Sequence, residues 1–187
     1  QGEAWEDFLT LFLNRAPAHV DQQIPAMDAA AAVRQVARGM GFGVETIAMD
    51  LEDRQHKEPM GSAWPVRIPG DVRISVKPVG GAADLSAIYH EMGHALHFAS
   101  IHPDLPYPLR VGFSHGTAET FAIWMQSLLS DPVYLAELGF TENAAEEFLR
   151  FEQLGKAIGA TLGCADSLCI VDYWTEGPLP HAQLAER

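Results

Sequence analysis

The stretch His90-Glu91-Met92-Gly93-His94 constrains this chain more than any other feature of its sequence. Two histidines four positions apart, among Ile88, Tyr89, Ala95, Leu96 and Phe98, are neighbours on a helix, where that spacing means about 40° of rotation and 6 Å of rise. Both imidazoles then face one point. On a helix covered on several sides, polar groups persist only where they find partners, so the spacing predicts a bidentate metal clip of His90 and His94. Glu91 stands about 100° around from His90. It lies outside the ligand pair but beside an open coordination position, where a carboxylate can take a proton from bound water. Imidazole and carboxylate ligands suit Zn²⁺, and a catalytic zinc has three protein ligands plus water. One zinc ion per chain and a third ligand are therefore expected.

Two residues compete for the third position. Glu119 sits among the apolar residues of a second predicted helix, where a buried carboxylate is costly unless paired or bound to metal. His115, one turn earlier, is at the helix entrance, a place suited to capping, to supporting a ligand or to touching substrate. His97 follows His94 by three and can lie near the same face, as a hydrogen-bonded support or a partly exposed helix residue. Met92, Leu96 and Trp124 read as core and Tyr89 as packing. His56 and Lys57 fall in a polar turn, with substrate-side contact the most they suggest.

Elsewhere the pattern is mostly helical. Trp5, Phe8, Leu9, Phe12 and Leu13 form a helical stripe over Glu3–Arg15. Its apolar face calls for covering surface, from missing polypeptide or a second copy of the chain. Asp28–Met40 reads as a helix stopped by Gly39, Gly41 and Gly43. Val44–Leu51 and Val72–Lys77 carry the β-branched residues of a small sheet, with Pro65, Pro69, Gly70 and Pro78 as punctuation. Asp84 is the expected cap of the helix Leu85–Ser100. Helices over Thr117–Leu129, Glu142–Leu162 and Ala165–Trp174 follow, the last two broken near Gly163. The expected fold is α+β, predominantly α-helical, with a small sheet beside two helices that hold the metal. The length of 187 residues and the 48% hydrophobic content fit one domain.

Charge narrows the range of partners. Twelve basic against 25 acidic residues leave a net charge of -13, which repels phosphate backbones and anionic lipid headgroups. Neither nucleic acid nor a membrane is an expected partner. Cys164 and Cys169 lie five apart with no second Cys or His pair nearby, and read as free thiols of a reducing compartment. No run approaching 20 apolar residues is evident, and Glu3, Glu6 and Asp7 replace the basic start of a signal peptide. A cytoplasmic protein is expected, and the opening on Gln1 suggests part of a longer chain.

The run His90-Glu91-Met92-Gly93-His94-Ala95-Leu96-His97 resembles the zinc helix of the thimet oligopeptidase and oligoendopeptidase F family of zinc metallopeptidases. That family also tends to show Gly before the second ligand and His three after it. Glu119 stands 25 residues beyond His94, the separation the family uses for its glutamate ligand, so the resemblance favours Glu119 over His115. Asp50-Leu51-Glu52-Asp53-Arg54, then Lys57 and Gly61-Ser62-Ala63, is similar in order to the family's segment before its strand and zinc helix. Covering residues 45–175, the resemblance implies a zincin-like core and hydrolysis of oligopeptides in an enclosed channel. In the family a tyrosine and a histidine well beyond the glutamate help bind the carbonyl oxygen. Here 68 residues follow Glu119 and Tyr173 comes too early to match. Where the family often has an acidic residue two turns after its glutamate ligand, this chain has Gln126. The expected function is zinc-dependent peptide hydrolysis with Glu91 as general base. The alternative is a truncated or noncatalytic core that binds zinc without the Tyr/His segment.

Overall fold

The β-branched stretches at Val44–Leu51 and Val72–Lys77 both enter one sheet, and a third strand joins them. The computed structural model describes residues 16, 18–57 and 61–177; the helix expected over Glu3–Arg15 lies outside these. In chain order the elements are α1 (Ala18–Asp21), α2 (Ala29–Gly39), β1 (Ile47–Asp50), β2 (Ser62–Arg67), β3 (Asp71–Ser75), α3 (Gly81–Ser100), α4 (Tyr107–Val111), α5 (His115–Gln126), a 3₁₀ turn (Ser127–Ser130), α6 (Pro132–Glu137) and α7 (Glu142–Glu176). The fold is α+β and predominantly helical. The described residues fall into two compact units, one within 16–149 and one within 150–177.

Within the larger unit the strand order is β1-β3-β2. β1 runs parallel to β3, with Ile47 opposite Val72, and β2 runs antiparallel to it, with Ala63 opposite Ile74. β2 is the strand the sequence conceals, because Pro65 reads as a breaker. It is tolerated because β2 lies at the sheet edge, where a missing N–H costs no ladder bond, and the register shifts just after it, between Pro65 and Arg67. Val72, Ile74 and Val76 are buried, as are Val44 and Ile47. Arg34 of α2 ties that helix to the sheet, donating to the carbonyls of Val44 at 3.0 Å and Ile47 at 2.7 Å.

α3 is covered on several faces. It packs on β2 and β3, on α2 and on α5, and Ala82, Leu85, Ile88, Tyr89, Met92, Ala95, Leu96 and Phe98 are buried along it. It starts earlier than Asp84 suggests. Gly80 is the N-cap residue, Asp84 lies in the first turn and accepts from the Val79 N–H at 2.8 Å, and Asp21 of α1 accepts from the Ala82 N–H at 2.9 Å. An orphan donor of the first turn is thus met by a carboxylate 61 residues away in sequence. Tyr89 packs as expected, its hydroxyl 2.5 Å from that of Tyr134 on α6.

The helix pair expected at Glu142–Leu162 and Ala165–Trp174 is one helix, α7. Gly163 lowers helix propensity but keeps its N–H and clashes with nothing, so it weakens the ladder without ending it. Continuity changes the apolar tally as well. By length and composition alone, Glu142–Thr175 is long and apolar enough to cross a membrane, with a mean hydropathy of 1.4 in its most apolar stretch. The break assumed at Gly163 hid that run. In the smaller unit Leu168, Ile170, Val171 and Trp174 are exposed, and both cysteines are free.

Candidate metal centre

Gly93 is where α3 and α5 come closest. A Cβ there would collide with the Phe121 carbonyl oxygen and lie 2.5 Å from Ala122 Cα, so only glycine permits this backbone approach. Ala122 is itself fully buried. On α5, Glu119, Ala122 and Gln126 follow at intervals of three and four and share one face. With Ala122 touching Gly93, Glu119 and Gln126 fall on either side of the contact, opposite the two histidines of α3.

The result is a convergence of three ligand groups. One ligand atom each from His90, His94 and Glu119 lies within 4.8 Å of the others. His90 Nε2 is 3.4 Å from Glu119 Oε2, and His94 Nε2 is 3.5 Å from Glu119 Oε1. All three are partly buried, and together they could hold a metal ion. His90 is oriented from α5, its Nδ1 3.1 Å from Gln126 Oε1. Burial and the neighbouring His90 lower the pKa of His94, the Glu119 carboxylate opposing them. A neutral imidazole is the form that ligates a metal.

Glu91 is buried outside the ligand group. Burial, reinforced by the Glu119 carboxylate, pushes its carboxyl up to about 7, while a hydrogen bond from the Ala63 backbone favours the charged form. Its support comes from the sheet edge. A Cβ on Gly61 would lie 2.6 Å from Glu91 Cγ and 2.8 Å from Oε1, so the segment entering β2 passes directly over the carboxylate. Sequence reading noted Gly61-Ser62-Ala63 only as a similar segment. The signal was a glycine just before a strand, a mark of close backbone approach.

His115 does not cap its helix but stays within the range of places expected for it, whereas His97 takes a different one. Ser114, not His115, caps α5, its hydroxyl accepting from the Thr117 N–H at 3.1 Å. His115 is nearly fully exposed, with Nε2 3.5 Å from Glu119 Oε1, which leaves it beside the ligand group as a neighbour of Glu119. His97 is buried, not partly exposed. Its ring stacks on Phe121 with centroids 4.8 Å apart and meets Phe113 edge-on at 5.2 Å. Its Nδ1 has no hydrogen-bond partner among the described residues, and burial lowers its pKa. His97 is an aromatic packing residue of the α3–α5 interface.

Three other expectations change. α5 is not largely buried, since Ile123 and Trp124 are exposed. Trp124, expected in the core, meets Phe42 edge-on at 6.0 Å instead, whereas Met92 and Leu96 are fully buried. Lys57 is committed to structure, its Nζ donating to the Asp50 carbonyl at 2.8 Å, the Asp50 carboxylate at 3.0 Å and the Glu52 carbonyl at 3.0 Å. Arg54 pairs with the same carboxylate. That cluster holds the chain leaving β1, and His56 beside it is exposed with a positive φ of 68°.

Comparison with family models, curated proteins and solved structures finds no match to this chain.

Proposed function

We propose that this protein is a zinc-dependent peptidase of the oligopeptidase type, with a zincin-like core in which His90, His94 and Glu119 hold the ion and Glu91 is the general base. The observation that carries the reading is the spacing of the ligand atoms. An ion with tetrahedral bonds of about 2.0–2.1 Å requires ligand atoms roughly 3.4 Å apart; His90 Nε2 and His94 Nε2 lie 3.4 and 3.5 Å from the two different oxygens of Glu119, and one ligand atom from each of the three residues lies within 4.8 Å of the others, a spacing near that requirement. The donor set of two imidazoles and one carboxylate, with neutral His94 and a His90 ring held by Gln126, is that of a catalytic zinc site.

Zinc, when bound, supplies Lewis acidity that lowers the pKa of water and polarises a carbonyl. Glu91 accepts the proton of the attacking water and delivers it to the leaving amine nitrogen. In the metal-free chain burial raises the pKa of its carboxyl, and a bound cation would favour the ionised form that accepts the proton. The Gly61–Ala63 backbone keeps Glu91 in place and covers it from solvent. Free cysteines support a reducing, cytoplasmic setting, and the net charge of -13 argues against a nucleic-acid substrate.

A second reading, a zinc-binding core without turnover, is favoured by one observation. Of the four tyrosines, Tyr89 and Tyr134 are bonded to each other, and Tyr107 and Tyr173 are 68% and 51% exposed. None is bonded to the metal ligands or Glu91 to mark a hydroxyl for the carbonyl oxygen. One experiment separates the readings: zinc content and fluorogenic-peptide cleavage for the wild type, Glu91→Gln and His94→Ala. The peptidase reading expects wild-type cleavage that chelator abolishes. It also expects full zinc but activity about 10²–10⁴-fold lower in Glu91→Gln, and neither zinc nor activity in His94→Ala. Full zinc with no wild-type cleavage would establish the second reading; undiminished activity in Glu91→Gln would remove Glu91 from the chemistry.

A further inference from the structure

We infer that Gln126 is the positioning residue of the metal centre, fixing His90 in its ligating tautomer while adding no charge; this rests on the metal-centre reading above. A neutral imidazole carries one N–H, and Nε2 can ligate only if that proton is on Nδ1. His90 Nε2 faces Glu119 at 3.4 Å, and Nδ1 faces the Gln126 side-chain carbonyl oxygen at 3.1 Å. A carbonyl oxygen only accepts, so the Nδ1–H donates to it and the Nε2 lone pair is left for the ion. Gln126 lies seven residues after Glu119 on α5, about two turns, and both straddle the Gly93–Ala122 contact. One rigid helix thus carries a ligand and the partner that orients another ligand.

The charge of the partner matters as much as its geometry. A carboxylate at position 126 would accept the same hydrogen bond but place a full negative charge against His90, making the imidazole a stronger donor and compensating more of the ion's charge. The amide gives orientation without that compensation. Glu119 and Glu91 are then the carboxylates at the centre, and a bound ion would keep a stronger pull on anions.

The test uses the full chain with Zn²⁺ and Co²⁺ as probes, without any assay of turnover. Zn²⁺ affinity is measured by chelator competition for the wild type, Gln126→Ala and Gln126→Glu, with far-UV circular dichroism verifying the fold. Azide binding is read from the visible spectrum of the Co²⁺ forms. Gln126→Ala should bind Zn²⁺ about 10–100-fold more weakly. Gln126→Glu, nearly the same shape, should bind Zn²⁺ at least as tightly as the wild type and azide more weakly. Long-range ¹H–¹⁵N spectra of the Zn²⁺-loaded chain should show His90 bound through Nε2 with its proton on Nδ1 in the wild type, and a mixture of Nε2 and Nδ1 ligation in Gln126→Ala. Unchanged Zn²⁺ affinity and tautomer in Gln126→Ala would overturn the positioning role, and equal azide affinity in Gln126→Glu would overturn the role of charge. A wild type that binds no Zn²⁺ would instead sink the metal-centre reading beneath both.

Discussion

A methyl group at position 93 would press into the α5 backbone at Phe121 and Ala122. Backbone cannot step aside as a side chain can, so Gly93→Ala forces α3 and α5 apart. The change should destabilise the chain by roughly 1–3 kcal/mol. It should also weaken Zn²⁺ binding, because Glu119 moves away from both imidazoles; denaturant unfolding and a zinc titration measure the two effects. Glu91 makes a prediction of a different kind. Its carboxyl is raised from 4.5 to about 7 in the fold by burial and by Glu119, so the metal-free native state favours the protonated form. The stabilisation is full below pH 4.5 and is lost as pH rises through 7. On the order of 3 kcal/mol is involved. Urea unfolding with chelator present should show the wild type losing stability relative to Glu91→Gln between pH 4.5 and 8. Parallel profiles would mean that Glu91 does not titrate in that window.

Among the elements, α7 offers the sharpest contrast between local pattern and outcome. Gly163 resembles a stop signal, but it stands in the interior of one helix with nothing within 4 Å of where a Cβ would be. Gly163→Ala should therefore raise the melting temperature, adding up to about 1 kcal/mol. A loss of stability would indicate a break or a close neighbour at that point. β2 carries the opposite lesson. Its proline and its exposed Trp64 and Val66 give it little of the alternation that marks a half-buried strand. It exists because β3 offers an edge to pair with, and that pairing lays Gly61 and Ala63 against Glu91.

Taken whole, the larger unit builds its candidate centre by placing one helix, α3, between a sheet and a second helix. Such a centre links metal binding to folding, because the unfolded chain does not bring His90, His94 and Glu119 together. Added zinc should raise the melting temperature of the wild type and leave that of His94→Ala unchanged. At free zinc one hundred times the dissociation constant the gain is about 2.7 kcal/mol. Scanning calorimetry with and without chelator measures it, and equal shifts in both proteins would place the zinc elsewhere.

Residues whose roles depend on helical periodicity were legible in the chain itself: His90 and His94 on one face, Met92 and Leu96 in the core, and the helical and β-branched stretches of an α+β fold. These follow from spacings of a few residues, which a regular helix or strand converts directly into direction. Glu119 needed more, since its alternative His115 lies only one turn away, and the packing of α3 on α5 at Gly93 brings the carboxylate to the imidazoles. The exposure of Trp124, the burial of His97 and the commitment of Lys57 to Asp50 had no local signature, and the cap at Ser114 and the cover over Glu91 left only a serine before a helix and a glycine before a strand. Each depends on which surfaces meet when segments distant in the chain pack together, and contact between elements, not the period within one, determines burial and partnership.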